Sequence, residues 1–125
     1  MLVAACFGSN DLTAAGQFYD AVLSLVDMTR LVTEEAELGY GLKDGETSFW
    51  VLRPFNKQPA TIGNGSQIMF RAASPAIVDE FHATTLRLGG TDEGAPGPRD
   101  YAEGYYGAYC RDLDGNKLHV FCIDA

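Results

Sequence analysis

The sequence predicts an α+β domain made of two βαβββ modules. Three observations carry that prediction. The chain matches its own pattern at an offset of 63 residues, with strand, helix and hairpin recurring in the same order. Glycine accounts for 14 of the 125 residues and punctuates short alternating runs, which marks turns and strands rather than a helix bundle. Apolar residues make up 46% and charged residues 21%, so a chain of single-domain length can build a core and is not disordered.

The elements follow in order. Val3, Ala5 and Phe7 alternate with Ala4 and Cys6, the period of a short strand. Asn10-Asp11 supplies an N-cap, and Leu12, Ala15, Phe18, Tyr19, Val22 and Leu25 then recur at helical spacing. Residues 30–33, 38–43 and 47–53 read as three more strands, with Asp44-Gly45 as a hairpin turn. Module one therefore covers about residues 1–55 and a linker about 56–64, in a stretch rich in Pro, Gly and Asn.

Module two covers about residues 65–125 of a single 1–125 domain and opens on Ser66-Gln67-Ile68-Met69-Phe70. Its helix begins at Ser74 with Pro75 in the first turn. Ile77, Val78, Phe81 and Leu88 share a face before Gly89-Gly90 ends the helix. At the offset Ala15 falls on Val78, Phe18 on Phe81 and Leu25 on Leu88, while Tyr19 falls on His82. Both Tyr19 and His82 read as residues at the edge of an apolar stripe, without a catalytic role. A weak run near residues 90–91, then 105–111 and 117–123, completes the module, with Asp114-Gly115-Asn116 in the last turn. Residues 92–104 hold three glycines and two prolines and are expected to form a loop placed as a lid.

Charge and cysteine usage exclude several classes. A net charge of −8 argues against nucleic acid and against an anionic membrane, both of which are gripped by Lys and Arg. No apolar run reaches the ~20 residues that span a bilayer, and the apolar start lacks the basic flank of a signal peptide, so a cytoplasmic protein is expected. Cys6, Cys110 and Cys122 are odd in number and form no Cys-x-x-Cys, so reduced, mostly buried thiols are expected. If the last two strands form a hairpin, Cys110 faces about Leu118, which leaves Cys122 roughly 13 Å along the strand, beyond disulfide reach. No Gly-x-Ser-x-Gly or phosphate-binding glycine loop is present, and Gly63-Asn64-Gly65 leads into a strand and is a turn.

Four blocks carry a family resemblance across nearly the whole chain. They are Asn10-Asp11-Leu12 with Phe18-Tyr19-Asp20-Ala21-Val22-Leu23, Arg53-Pro54-Phe55 with Gly63-Asn64-Gly65, Gly94-Ala95-Pro96-Gly97 with Arg99, and Tyr105-Tyr106-Gly107-Ala108-Tyr109 with Arg111-Asp112-x-Asp114-Gly115-Asn116-Lys117. Together with the repeated module they make the chain resemble the vicinal oxygen chelate superfamily, which includes glyoxalase I, bleomycin-resistance proteins and extradiol dioxygenases. The resemblance implies mixed sheets rolled into cups that pair around a cleft, within one chain or across a homodimer. It also implies, for metal-dependent members, four ligands of the type His or Gln, Glu, His, Glu on the first and last strands of each module.

This sequence departs from that ligand pattern. Ala4 stands at the first position and Gln67 at its counterpart; His119 stands where the last strand usually carries Glu; and residues 48–52, Ser-Phe-Trp-Val-Leu, hold no useful ligand. A catalytic divalent site needs about three protein ligands, and only Gln67 and His119 survive as candidates. No metal and no other cofactor is therefore expected. His119 is the candidate acid or base, with a hydrogen bond to Gln67 as one arrangement. Gln67, His119, Arg53, Arg99, Trp50, Tyr105 and Tyr109 are the candidate ligand-binding residues. Phe49, Met69, Phe70 and Phe121 lie on the same strands, Arg71 lies beside the cleft, and Tyr106 sits at its mouth. The function expected is binding of a small organic molecule in a cleft with a degenerate metal site. The alternatives are a metal-dependent lyase or isomerase of lactoylglutathione-lyase type and a metal-independent enzyme using His119.

Overall fold

A computed structural model describes residues 1–123. Its elements run β1 (Ala5–Gly8), α1 (Leu12–Ser24), β2 (Met28–Thr33), β3 (Glu37–Leu42), β4 (Phe49–Leu52), β5 (Ile68–Arg71), α2 (Pro75–Arg87), β6 (Thr91–Pro98), β7 (Tyr105–Arg111) and β8 (Lys117–Ile123). They form two four-stranded mixed sheets in the orders β1-β4-β3-β2 and β5-β8-β7-β6. The first strand of each module pairs in parallel with the last, and the remaining pairs are antiparallel. The 63-residue offset holds for β1 against β5 and for α1 against α2, at both ends of each element.

Local chemistry accounts for the helices. The Asp11 carboxylate accepts from Ala14 N–H, and the Ser74 hydroxyl accepts from Ile77 N–H, each satisfying a donor that the first turn leaves unpaired. Leu12, Ala15, Phe18, Tyr19 and Val22 of α1 and Val78 and Phe81 of α2 are buried in one continuous core with Phe49, Val51, Phe70, Leu118 and Val120. Burying each of the large apolar side chains contributes about 2 kcal/mol.

Tyr19 and His82 are buried rather than at a stripe's edge, because each polar tip finds a partner on another element. The Tyr19 hydroxyl donates to Asp112 at 2.5 Å, and His82 Nε2 lies 2.8 Å from Asp92 Oδ1. Leu88 caps α2 and is partly exposed. None of the three cysteines is in a disulfide; Cys6 is exposed and the other two are buried. Cys110 pairs in register with Leu118 and Cys122 with Tyr106. Burial pushes the Cys110 thiol up to about 11, which keeps it protonated and unreactive.

The expected lid is largely a strand. β6 pairs with β7 from Thr91 to Pro98, with register shifts between Asp92 and Gly94 and between Gly94 and Gly97. Two features reconcile that with its breakers. β6 is an edge strand, where proline costs no central ladder bond, and the bulges take up the irregularity at glycine, Gly94 having φ +158°.

The Asp112–Asn116 turn joins the modules. Asp112 Oδ1 accepts from the backbone N–H groups of Asp114 and Asn116, and Oδ2 accepts from the Tyr19 hydroxyl and the Asn116 amide. That amide also donates to Gly8 O, and Asp114 accepts from Asn10 N–H. Among the described residues no helix is long and apolar enough to cross a membrane.

Candidate functional site

Strand alternation sorts module two into a core face and an open face. On β8, Leu118, Val120 and Cys122 are buried in the core, so Lys117, His119 and Phe121 project from the other side. On β7, the Tyr106 hydroxyl donates to Asp79 of α2 and Cys110 donates to Thr85 of the same helix. Tyr105, Gly107 and Tyr109 therefore share the open face with His119, and Met69 and Arg71 of β5 join them. Tyr106 points to the helix and not to the mouth of the site.

The open face carries a row of rings. His119 stacks on Tyr109 at 4.0 Å between centroids and lies 5.6 Å from Phe121, while Tyr105 and Phe121 stack at 5.1 Å. The planes in these pairs are within 14° of parallel. Tyr101 packs edge-on against Tyr105, and its hydroxyl meets that of Tyr109 at 2.9 Å. Gly107 makes the row possible: a Cβ there would come within 2.8 Å of His119 Cε1 and 3.2 Å of Val120 O.

His119 is 1% exposed, and both ring nitrogens are engaged. Nδ1 lies 2.9 Å from Ala108 O, an acceptor only, so Nδ1 carries the proton and donates. Nε2 then accepts from the Tyr105 hydroxyl at 2.6 Å. Burial holds the imidazole below the usual histidine range, so it is neutral near pH 7. Burial also raises the Tyr105 phenol, and it pushes Tyr109 up to about 12 with help from the Tyr101 hydrogen bond. The rings are thus uncharged.

The charge on this face comes from three cations. The Arg71 guanidinium lies 5.1 Å from the Phe121 centroid, and Arg99 and Lys117 lie 5.8 and 5.0 Å from that of Tyr109. Arg99 is held by the carbonyls of Ala95 at 2.9 Å, Gly97 at 3.0 Å and Pro98 at 3.2 Å. The ion pairs among the described residues are Arg30–Asp20, His82–Asp92 and Arg111–Glu93, so none of the three cations on this face is in an ion pair, and Glu93 acts on Lys117 only at longer range.

Of the residues expected at a site, Arg99, Tyr105, Tyr109 and His119 come together here. Gln67 is exposed in the segment ahead of β5; the partners of His119 are Tyr105 and Ala108 rather than Gln67. Trp50 is half-buried on β4. Exposed Arg53 follows β4 and borders a groove of about 820 Å³ with Leu52, Pro54, Phe55 and Glu37. That groove lies in module one and the linker, and none of the module-two rings lines it. Sequence reasoning missed Lys117 and Tyr101. Alternation with His119 signals Lys117, whereas nothing local to Tyr101 shows where its loop returns.

The residues do not fit a divalent metal. Module one pairs Cys6 with Trp50 and Trp50 with Gly39; module two pairs Met69 with His119 and His119 with Tyr109. Trp50 therefore holds the register position of His119, and its indole only donates. Ala4 offers no donor. Among the described residues no group of three or more His, Cys, Asp or Glu is placed to hold a metal ion.

Two helix-backed four-stranded modules, each with first and last strands paired in parallel, define the paired-module fold of the vicinal oxygen chelate superfamily. Neither a protein-family model nor a curated protein matches the chain. Solved structures do. A glyoxalase/bleomycin resistance protein from Albidiferax ferrireducens is 38% identical, with 96% of each chain covered and a TM-score of 0.85. The chain belongs to the glyoxalase/bleomycin resistance protein family. A lactoylglutathione lyase from Agrobacterium tumefaciens is 21% identical over 98% of this chain and 92% of that one, with a TM-score of 0.68. A glyoxalase-related enzyme from Fulvimarina pelagi is 14% identical over 98% and 87%, with a TM-score of 0.77. At those identities the likeness is one of fold.

Proposed function

We propose that this protein binds a small organic molecule on the open face of module two, without a divalent metal. The observation that carries this reading is the pair of partly exposed rings Tyr109 and Phe121, backed by the buried His119 and Tyr105 and lying beside three cations that form no ion pair. An uncharged aromatic surface favours a flat, partly apolar ligand, and Arg99 is pinned beside it. Trp50 is its counterpart in module one and offers a second flat surface to a ligand that reaches both modules. A thermal-shift screen of small aromatic compounds tests the reading. Hits should stabilise the native chain, and Tyr109→Ala should weaken them about fivefold, as expected for loss of one aromatic contact. Elemental analysis of chelator-free protein should find less than stoichiometric zinc, nickel, manganese or iron. Hits that ignore Tyr109→Ala, or one metal ion per chain, would overturn it.

A second reading, metal-independent proton transfer, is favoured by the Tyr105–His119 hydrogen bond, which links an imidazole of fixed tautomer to a phenol on the same face. It requires a reaction whose turnover is lost in His119→Gln while ligand affinity is kept. We also infer that the chain works as a homodimer, on grounds of exposed apolar surface given below.

A further inference from the structure

The geometry points to an aromatic carboxylate as the ligand class of the module-two face, with Arg71 as the residue that takes the carboxylate. This rests on the binding reading above and deepens it.

The chain carries 9 Lys and Arg side chains, and among the described residues most of them have no carboxylate within ion-pair distance. Arg30 and Arg111 have one, with Asp20 and Glu93. Arg71, Arg99 and Lys117 do not, Glu93 acting on Lys117 only from beyond ion-pair distance, and what sets the three apart is that all lie over rings of the same row. Three like charges held over one apolar surface repel one another unless an anion joins them.

The three differ in what they have left to give. Arg99 spends both terminal nitrogens on the carbonyls of Ala95, Gly97 and Pro98, so it supplies field rather than a free fork. Lys117 is a point charge at the Tyr109 end. Arg71 is exposed on an edge strand, its described side-chain contact is the face of Phe121, and among the described residues its N–H groups donate to no protein acceptor. A guanidinium with free donors matches a carboxylate in bidentate geometry. Phe121, beside it, presents the apolar surface that the ligand's ring requires.

A matched pair of probes tests the proposal: 2-naphthoate and 2-naphthamide, similar in shape and differing in charge, titrated into the native chain by calorimetry. Naphthoate should bind about tenfold more tightly, the scale of one charge-assisted hydrogen bond pair on a partly exposed surface. That preference should fall to near unity in Arg71→Gln, survive in part in Arg71→Lys, and persist in Arg87→Gln, at the far end of α2. It should also shrink with added salt. Equal binding of the two probes by the native chain would overturn the carboxylate assignment while leaving the binding reading intact. A preference that persists in Arg71→Gln, or that vanishes instead in Arg53→Gln at the module-one groove, would overturn the role of Arg71. Binding of neither probe would remove the binding reading and this inference with it.

Discussion

The imidazole of His119 is closed in by Tyr105, Tyr109 and Phe121, and its charged form loses water without gaining a carboxylate. Its folded pKa is therefore below its unfolded value, near 6.5. The sign follows. Above about pH 6.5 both states are neutral and the group has no effect on pH dependence. As pH falls through 6.5 the unfolded chain takes a proton that the folded chain refuses, and stability falls until the folded pKa is passed. The native chain should thus lose more melting temperature between pH 7.5 and 5.5 than His119→Gln, which keeps a donor and an acceptor but cannot titrate. Equal losses in parallel thermal melts would contradict this. That His119 faces the site was implied by the family resemblance, which places a cleft-facing residue at that position of the last strand. That it is tied up by Tyr105 was not, because the tie depends on Gly107 clearing space for the ring, and nothing in a one-dimensional pattern distinguishes that glycine from a turn glycine.

Among elements, the two helices were the most legible, since their caps and apolar stripes are local signals. β6 was the least, because Gly94, Pro96, Gly97 and Pro98 are loop signals that an edge position and two bulges overrule. The β7–β8 turn lies between. Asp114-Gly115-Asn116 announced a turn, while the buried role of Asp112 depends on Tyr19, 93 residues away. Burial raises the Asp112 carboxyl, and four hydrogen bonds act against that rise. Removing the carboxylate leaves the fully buried Tyr19 hydroxyl, the Asp114 and Asn116 amides and one Asn116 side-chain proton short of an acceptor. At about 1–3 kcal/mol for a buried donor left unpaired, and with water reaching part of the turn, Asp112→Ala should cost about 3 kcal/mol. For a chain of this length that lowers the melting temperature by about 10 °C. Asp114→Ala, which removes a single acceptor at an exposed Asn10 amide, should cost well under 1 kcal/mol. Chemical denaturation of the two variants checks the contrast; equal losses would mean that the turn does not join the modules as described.

At the scale of the whole molecule, the core is continuous across both modules, yet apolar surface remains outside it. Leu2 is 87% exposed, Phe55 101% and Met69 51%, and the strands at one edge of each sheet, β1 and β5, carry Cys6 and Met69 on their open sides. Open edges and exposed apolar side chains favour association, by adding strands or by burying the patch against a second copy. The charge of −8 opposes it, because two copies repel. These terms respond differently to salt. Screening weakens the repulsion beyond about 10 Å at 0.1 M and leaves apolar burial nearly untouched. Light scattering should therefore find a species of about 27 kDa, twice the chain mass of 13.5 kDa, at 150 mM salt, and a lower average mass as salt is removed. Phe55→Ser combined with Met69→Ser should shift the equilibrium toward the single chain, since each removes exposed apolar surface while leaving the core intact. A mass of 13.5 kDa at every salt concentration would exclude the homodimer and leave the module-two face to bind its ligand within one chain. A dimer that tightens as salt is removed would instead mean that attraction between opposite charges holds the copies together. The cations Arg71, Arg99 and Lys117 would then be the first residues to examine at the interface.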